Sequence, residues 1–151
     1  MLGRTNQKES PMMHIEFTVD GPPIGKGRPK AVRFGNQVRM YTPKKTSEYE
    51  TDIAFKAAQV MADLKAVETP VSVGVLAYYP IPASWSKKRQ QAAIDGTEIP
   101  GKPDLDNVLK AVLDALNGVV YVDDKQVVRI TGGKAYSRYP RLVVWVTENL
   151  A

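Results

Sequence analysis

Four aspartates in two short stretches are the residues best able to do chemistry in this chain. Asp104 and Asp106 open the segment KPDLDNVLKAVLDAL, with Lys110 shortly after, and Asp123-Asp124 follow in VYVDDKQV. In the first stretch Leu105, Val108, Leu109, Val112, Leu113 and Leu116 fall at i, i+3, i+4, i+7, i+8 and i+11, which predicts a helix starting at Leu105. At about 100° per residue from Asp106, Lys110 lies near about 40°, Asp114 about 80°, Asn107 about 100° and Asn117 about 20°. One face is therefore apolar, and the opposite face carries the charged groups.

An ordinary helix start accounts for part of this. Asp104 stands at or just before the N-cap, Asp106 favours the positive end of the helix dipole, and Asp106 to Lys110 is an i, i+4 ion pair. The second pair, Asp123-Asp124, shifts the balance. Asn117-Gly118 stops the helix, and Val119 to Val122 is expected as a short strand antiparallel to it. The turn after that strand would then return to the helix N-terminus and bring several carboxylates within a few ångströms. Like charges that close need a cation between them. The chain has no Cys and one distant His, so an all-oxygen cluster points to Mg²⁺ or Mn²⁺ rather than Zn²⁺. Such an ion beside a basic surface suits phosphodiester hydrolysis, with Lys110 placed to neutralise charge on the pentavalent phosphorus.

The basic surface is easy to locate. Net charge is +5, yet the window from Lys26 to Lys45 alone carries +7, from Lys26, Arg28, Lys30, Arg33, Arg39, Lys44 and Lys45 with no acid. A polyanion matches this concentration of charge through counterion release. A solvated loop that maintains solubility is the plainer alternative.

The elements that must position these groups follow from pattern. The 151 residues, 43% hydrophobic and 25% charged, suit one domain with a packed core. Residues 1–12 lack periodicity and read as a flexible tail ahead of a domain over residues 13–151. His14 to Val19 alternates as a strand, GPPIGKGRPK is a loop, and Val32 to Tyr41 forms a hairpin around Gly35-Asn36. Phe34 and Tyr41 flank that hairpin as packing residues, or alternatively stack on an unpaired base. A helix is expected over 46–65, a buried strand over 71–79, a short helix within SWSKKRQQAAIDG, and strands over 127–135 and 141–147. Trp145 and His14 sit in strand patterns and are assigned to packing. The element order predicts an α+β fold: a mixed, largely antiparallel sheet with two main helices on one face. The longest apolar stretch, about Val71 to Tyr79, is too short for a membrane span, and no apolar N-terminal run resembles a secretory signal. Without cysteines, a disulfide framework and a thiol nucleophile are excluded, and the cytoplasm is the default compartment.

Together, GKGRPK, YTPKKTSEYE and KPDLDNVLKAVLDALNGVVYVDDKQV resemble the RusA family of Holliday-junction resolvases, over roughly residues 15 to 147. The D-L-D-N, Lys, helix, D-D-x-Q-V pattern is the specific part. The Trp85 to Ile99 segment has no clear counterpart in the resemblance. Membership implies a small homodimeric endonuclease that needs Mg²⁺ or Mn²⁺, binds four-way DNA junctions and nicks two opposing strands in recombination and repair. Many such enzymes are encoded by phages or prophages. Carried onto this chain, the acidic catalytic residues are Asp104, Asp106 and Asp124, the catalytic lysine is Lys110, and Asp123 is second choice for the last metal ligand. The basic loop implied to follow DNA holds Lys26, Arg28, Lys30 and Arg33, with Lys44 and Lys45 beside it. Two rivals stand at this stage: a non-catalytic DNA-binding module, and a metal-dependent phosphodiesterase acting on other nucleic acid.

Overall fold

Alternation along the chain decides which face of each strand is buried. In the computed structural model, which describes residues 12–149, β1 (His14–Asp20) buries Ile15, Phe17 and Val19 and exposes the residues between them. β4 (Val71–Pro80) and β6 (Arg141–Glu148) follow the same rule, with Val71, Val73, Val75, Leu142, Val144 and Val146 pointing inward. With β5 (Val127–Ser137) they form one sheet in the order β1-β6-β4-β5. The β1–β6 and β6–β4 pairings are antiparallel, and β4–β5 is parallel. The sheet is thus mixed and largely antiparallel, as the patterning predicts.

The inward face is covered by two helices. α1 (Lys44–Met61) contributes Tyr49, Ile53, Ala57 and Met61, and α3 (Leu105–Leu116) contributes Val108, Ala111, Val112 and Leu116 to one continuous core. A third, shorter helix, α2 (Lys87–Asp95), begins at Ser86, whose Oγ accepts from the Arg89 N–H at 3.2 Å. β2 (Lys30–Phe34) and β3 (Gln37–Tyr41) form a separate two-stranded ribbon. The flexible tail expected over residues 1–12 lies outside the described residues apart from Met12.

On the outer face Gly74 lies under Trp145. A Cβ on Gly74 would stand 1.8 Å from the indole Cε2, so the ring can lie flat on the sheet only because position 74 has no side chain. The packing role expected for Trp145 is met. The one expected for His14 is not, because the ring is exposed and its Nδ1 lies 2.7 Å from the Thr147 hydroxyl.

One expected element is replaced. Val119 to Val122 does not run back along α3 as a strand. Val120 and Tyr121 are adjacent and both fully buried, which a strand with one solvated face does not permit. The segment curls under the end of α3 instead. The Gly118 N–H donates to the Tyr121 carbonyl at 2.7 Å, the Tyr121 hydroxyl donates to the Leu113 carbonyl at 2.7 Å, and a bridge pairs Tyr121 with Val67. That curl decides where the second acidic pair emerges.

Candidate active site

The first acidic stretch, one end of the basic loop and the lysine share one cleft. Lys26, Gly27, Arg28, Pro29, Asp104, Asp106, Asn107, Lys110 and Asp114 line a cavity of about 570 Å³. Asp104 occupies the N-cap position of α3, yet its carboxylate makes no cap bond and faces the exposed Lys102 Nζ at 3.0 Å. Asp106 is in the first helical turn. Among the described residues it forms no ion pair with Lys110, so the simple helix-start account leaves both groups unoccupied on the cleft wall.

The basic loop is held against this wall from both sides. The Lys26 N–H donates to the Asn107 carbonyl at 2.8 Å. The buried Thr46 hydroxyl of α1 accepts from the Gly27 N–H at 3.0 Å and donates to the Gly25 carbonyl at 3.2 Å. A Cβ on Gly25 would lie 2.8 Å from the Pro103 Cβ and 3.0 Å from the Asn107 Cβ, so only glycine lets the loop approach α3 so closely. The Tyr79 hydroxyl donates to the Pro103 carbonyl and secures the segment just before Asp104.

Lys26 has a different job from the one expected of it. Its Nζ lies 2.6 Å from Glu50 Oε1 and 3.0 Å from Asp114 Oδ2, bridging α1 and α3. Burial opposes its charge, but hydrogen bonds to Glu50 and Asp114 outweigh that and raise its pKa. In the folded chain it tethers the loop to both helices. Arg28, Lys30, Arg33 and Lys45 are exposed, and Lys44 is exposed with only a long 3.8 Å contact to Glu48. Arg39 joins this exposed basic surface from β3. Phe34 and Tyr41, expected as hairpin packing residues, are also exposed. A two-stranded ribbon with no third layer has no interior in which to bury them.

The second acidic pair stands at the other end of α3. Asp123 caps the turn Asp124–Gln126: its carboxylate accepts from the Lys125 N–H at 3.1 Å, while Gln126 Oε1 accepts from the Asp123 N–H at 2.9 Å. Gln126 Nε2 donates to the Val67 and Thr69 carbonyls at 2.8 and 2.9 Å, which explains the glutamine of the D-D-x-Q-V pattern. The Lys125 N–H, with help from Asp124, lowers the pKa of Asp123. The Asp124 pKa is raised, first by its hydrogen bond to Asp123 and then by desolvation and by repulsion from Asp123 and Asp114. Asp124 therefore sits beside Asp114 and Asn117, not beside Asp104. The expected meeting of all the carboxylates at one point does not occur, because the 118–122 curl replaces a returning strand. Among the described residues no group of three Asp, Glu or His side chains has metal-holding geometry. Instead an acidic row runs along α3 from Asp104 and Asp106 through Asp114 to Asp124. Asp114 joins the cleft lining from the polar face of α3 that the helical spacing defines.

Of the three carboxylates lining the cleft, Asp114 is paired with Lys26, and the other two, Asp104 and Asp106, suit a hard divalent cation of the Mg²⁺ type. Such ions are usually bound by one or two carboxylates, with water and substrate phosphate completing the shell. A mixed sheet with helices on one face, carrying an acidic helix start and a basic loop around a cleft, is a scaffold for chemistry on a polyanion. The chain matches the model of the RusA endodeoxyribonucleases over residues 20–147, and it belongs to that family of DNA endonucleases. It is also 39% identical over 137 residues to YqaN of Bacillus subtilis (strain 168), described as uncharacterized, covering 89% of this chain and 96% of that one. No helix among the described residues is long and apolar enough to cross a membrane.

Proposed function

We propose that this chain resolves Holliday junctions as a divalent-metal-dependent endonuclease, making paired symmetric nicks in recombining or repaired DNA. The observation that carries the proposal is the cleft in which Asp104 and Asp106 face the same cavity as Lys110 and Arg28. Asp104 and Asp106 would hold Mg²⁺ or Mn²⁺. Asp124 is favoured over Asp123 as the third acidic residue, because the Asp123 carboxylate is already spent on the turn. When bound there, the ion supplies Lewis acidity and lowers the pKa of coordinated water.

The rest is done by the chain itself. Lys110 projects from α3 into the cleft, where it would stabilise negative charge growing on the scissile phosphate. Arg28 on the opposite wall would orient that phosphate, and the exposed row of Lys30, Arg33, Lys44 and Lys45 would follow the neighbouring backbone. Four-way DNA has approximate two-fold symmetry, so a homodimer with two such sites makes both cuts in one encounter.

The experiment is a substrate panel at one fixed salt concentration: four-way DNA, duplex DNA, single-stranded DNA and RNA, each with Mg²⁺ and with EDTA. Symmetric nicks confined to four-way DNA with Mg²⁺ are expected. Binding without cleavage under every condition would leave only a DNA-binding module, and cleavage confined to RNA would assign the chemistry to another substrate.

A further inference from the structure

The ribbon β2–β3 is exposed on both faces. Only Val32 is even half-buried, while Phe34, Val38 and Met40 are 62%, 64% and 62% exposed. Two strands alone are marginally stable in water, and large apolar side chains left in water favour a partner. Charge says which kind. Lys30, Arg33 and Arg39 lie on the ribbon with no acid among them, so the partner is anionic. A two-fold copy of the same arm would set like charges against each other. Nucleic acid offers anionic phosphates together with flat apolar base faces, which matches both features of the arm.

Position narrows this further. The ribbon leaves the cleft rim directly after Arg28 and Pro29, and five residues per strand carry its tip about 17 Å outward. Phe34 is the last residue of β2, next to the Gly35-Asn36 turn. It shares a ribbon face with Arg39, whose guanidinium lies 5.9 Å from the ring centroid. In continuous duplex the base faces are already stacked on one another. At the branch of a four-way junction that stacking is interrupted.

We propose that Phe34 stacks on a base exposed at the branch point, which makes the β2–β3 arm the element that distinguishes a junction from continuous duplex. This rests on the junction-resolving function proposed above.

The test uses the full-length protein in EDTA, so that DNA is bound without being cut. Four-way DNA carrying 2-aminopurine beside the branch is compared with a duplex containing the same strand, at one salt concentration. Wild type is expected to prefer the junction and to change the 2-aminopurine fluorescence. F34A and F34L are expected to lose that change and about tenfold in junction affinity with duplex affinity unaltered, while F34W keeps both. F34L retains apolar bulk without a flat ring, so its loss would be due to stacking even if F34A disturbs the arm. Wild-type fluorescence change and junction preference in F34A and F34L would overturn the proposal. So would a change of oligomeric state in those variants with junction preference intact, which would make the arm a subunit contact. If wild type shows no junction preference, the function proposed above fails, and this proposal with it.

Discussion

Lys26 Nζ stands 3.0 Å from Asp114 Oδ2 while also touching Glu50, so the most deeply placed cation of the basic segment is spent on joining the loop to the two core-forming helices. This separates holding the loop from holding DNA. The ion pairs are partly buried, and K26M is expected to cost about 1–2 kcal/mol of stability, between the values for exposed and buried pairs. The slope of log K against log salt for DNA binding should be unchanged in K26M. In R28A, R33A and R39A it should fall by about 0.9 for each phosphate contact removed. A slope change in K26M equal to that in R28A would return Lys26 to the DNA surface.

D106N removes charge from the cleft while keeping its shape. Junction cleavage in Mg²⁺ is expected to drop on the order of 10²-fold or more, with binding retained or tightened by reduced repulsion. K110A should show a similar loss. D124N, at the far end of the acidic row, should lower cleavage less than D106N does, whereas D123N should chiefly loosen the turn and lower the melting temperature. Single-turnover cleavage beside a binding isotherm separates the two effects, and normal cleavage by D106N would exclude that carboxylate from the site.

Gly74 and Trp145 should behave as a coupled pair. The Cβ of G74A would meet the indole carbons at 1.8 Å, so a cost of about 1–3 kcal/mol or more is expected from overpacking. W145V removes the obstacle, and its own penalty should be smaller in the G74A background than in wild type. Urea denaturation of the four proteins measures the coupling. Simple additivity would show that the ring moves aside freely.

Alkaline pH gives a test that needs neither metal nor DNA. Burial raises the pKa of the Tyr49, Tyr79 and Tyr121 phenols, and Tyr79 is pushed up to about 12. Each favours its neutral form in the folded chain. Their contribution to stability is therefore complete below the ordinary tyrosine pKa of about 10 and is lost as pH rises toward 12. Absorbance at 295 nm should show these three of the seven tyrosines ionising late, together with loss of structure by circular dichroism. Seven phenols titrating together near pH 10 in a folded protein would contradict this.

Periodicity alone carried most of the architecture. The i, i+3, i+4 spacing from Leu105 and the alternation in β1, β4 and β6 are local patterns, and each names its own buried face. The acidic start of α3 and the basic run from Lys26 to Lys45 were equally legible, because residue type and short spacing suffice to show concentrated charge. Three matters lay beyond the reach of local pattern. Whether Lys26 meets DNA or Glu50 and Asp114 depends on how closely Gly25 lets the loop approach α3. Phe34 and Tyr41 look like packing residues in any hairpin, and their exposure comes from the absence of a layer against the ribbon. The place of Asp124 turns on the path of residues 118–122, which look extended in isolation but curl because Val120 and Tyr121 are both drawn into the core. Local sequence determined what each element is and which charges it carries. Tertiary packing decided which charges meet, because the distances between side chains remote in sequence are set by how the elements pack.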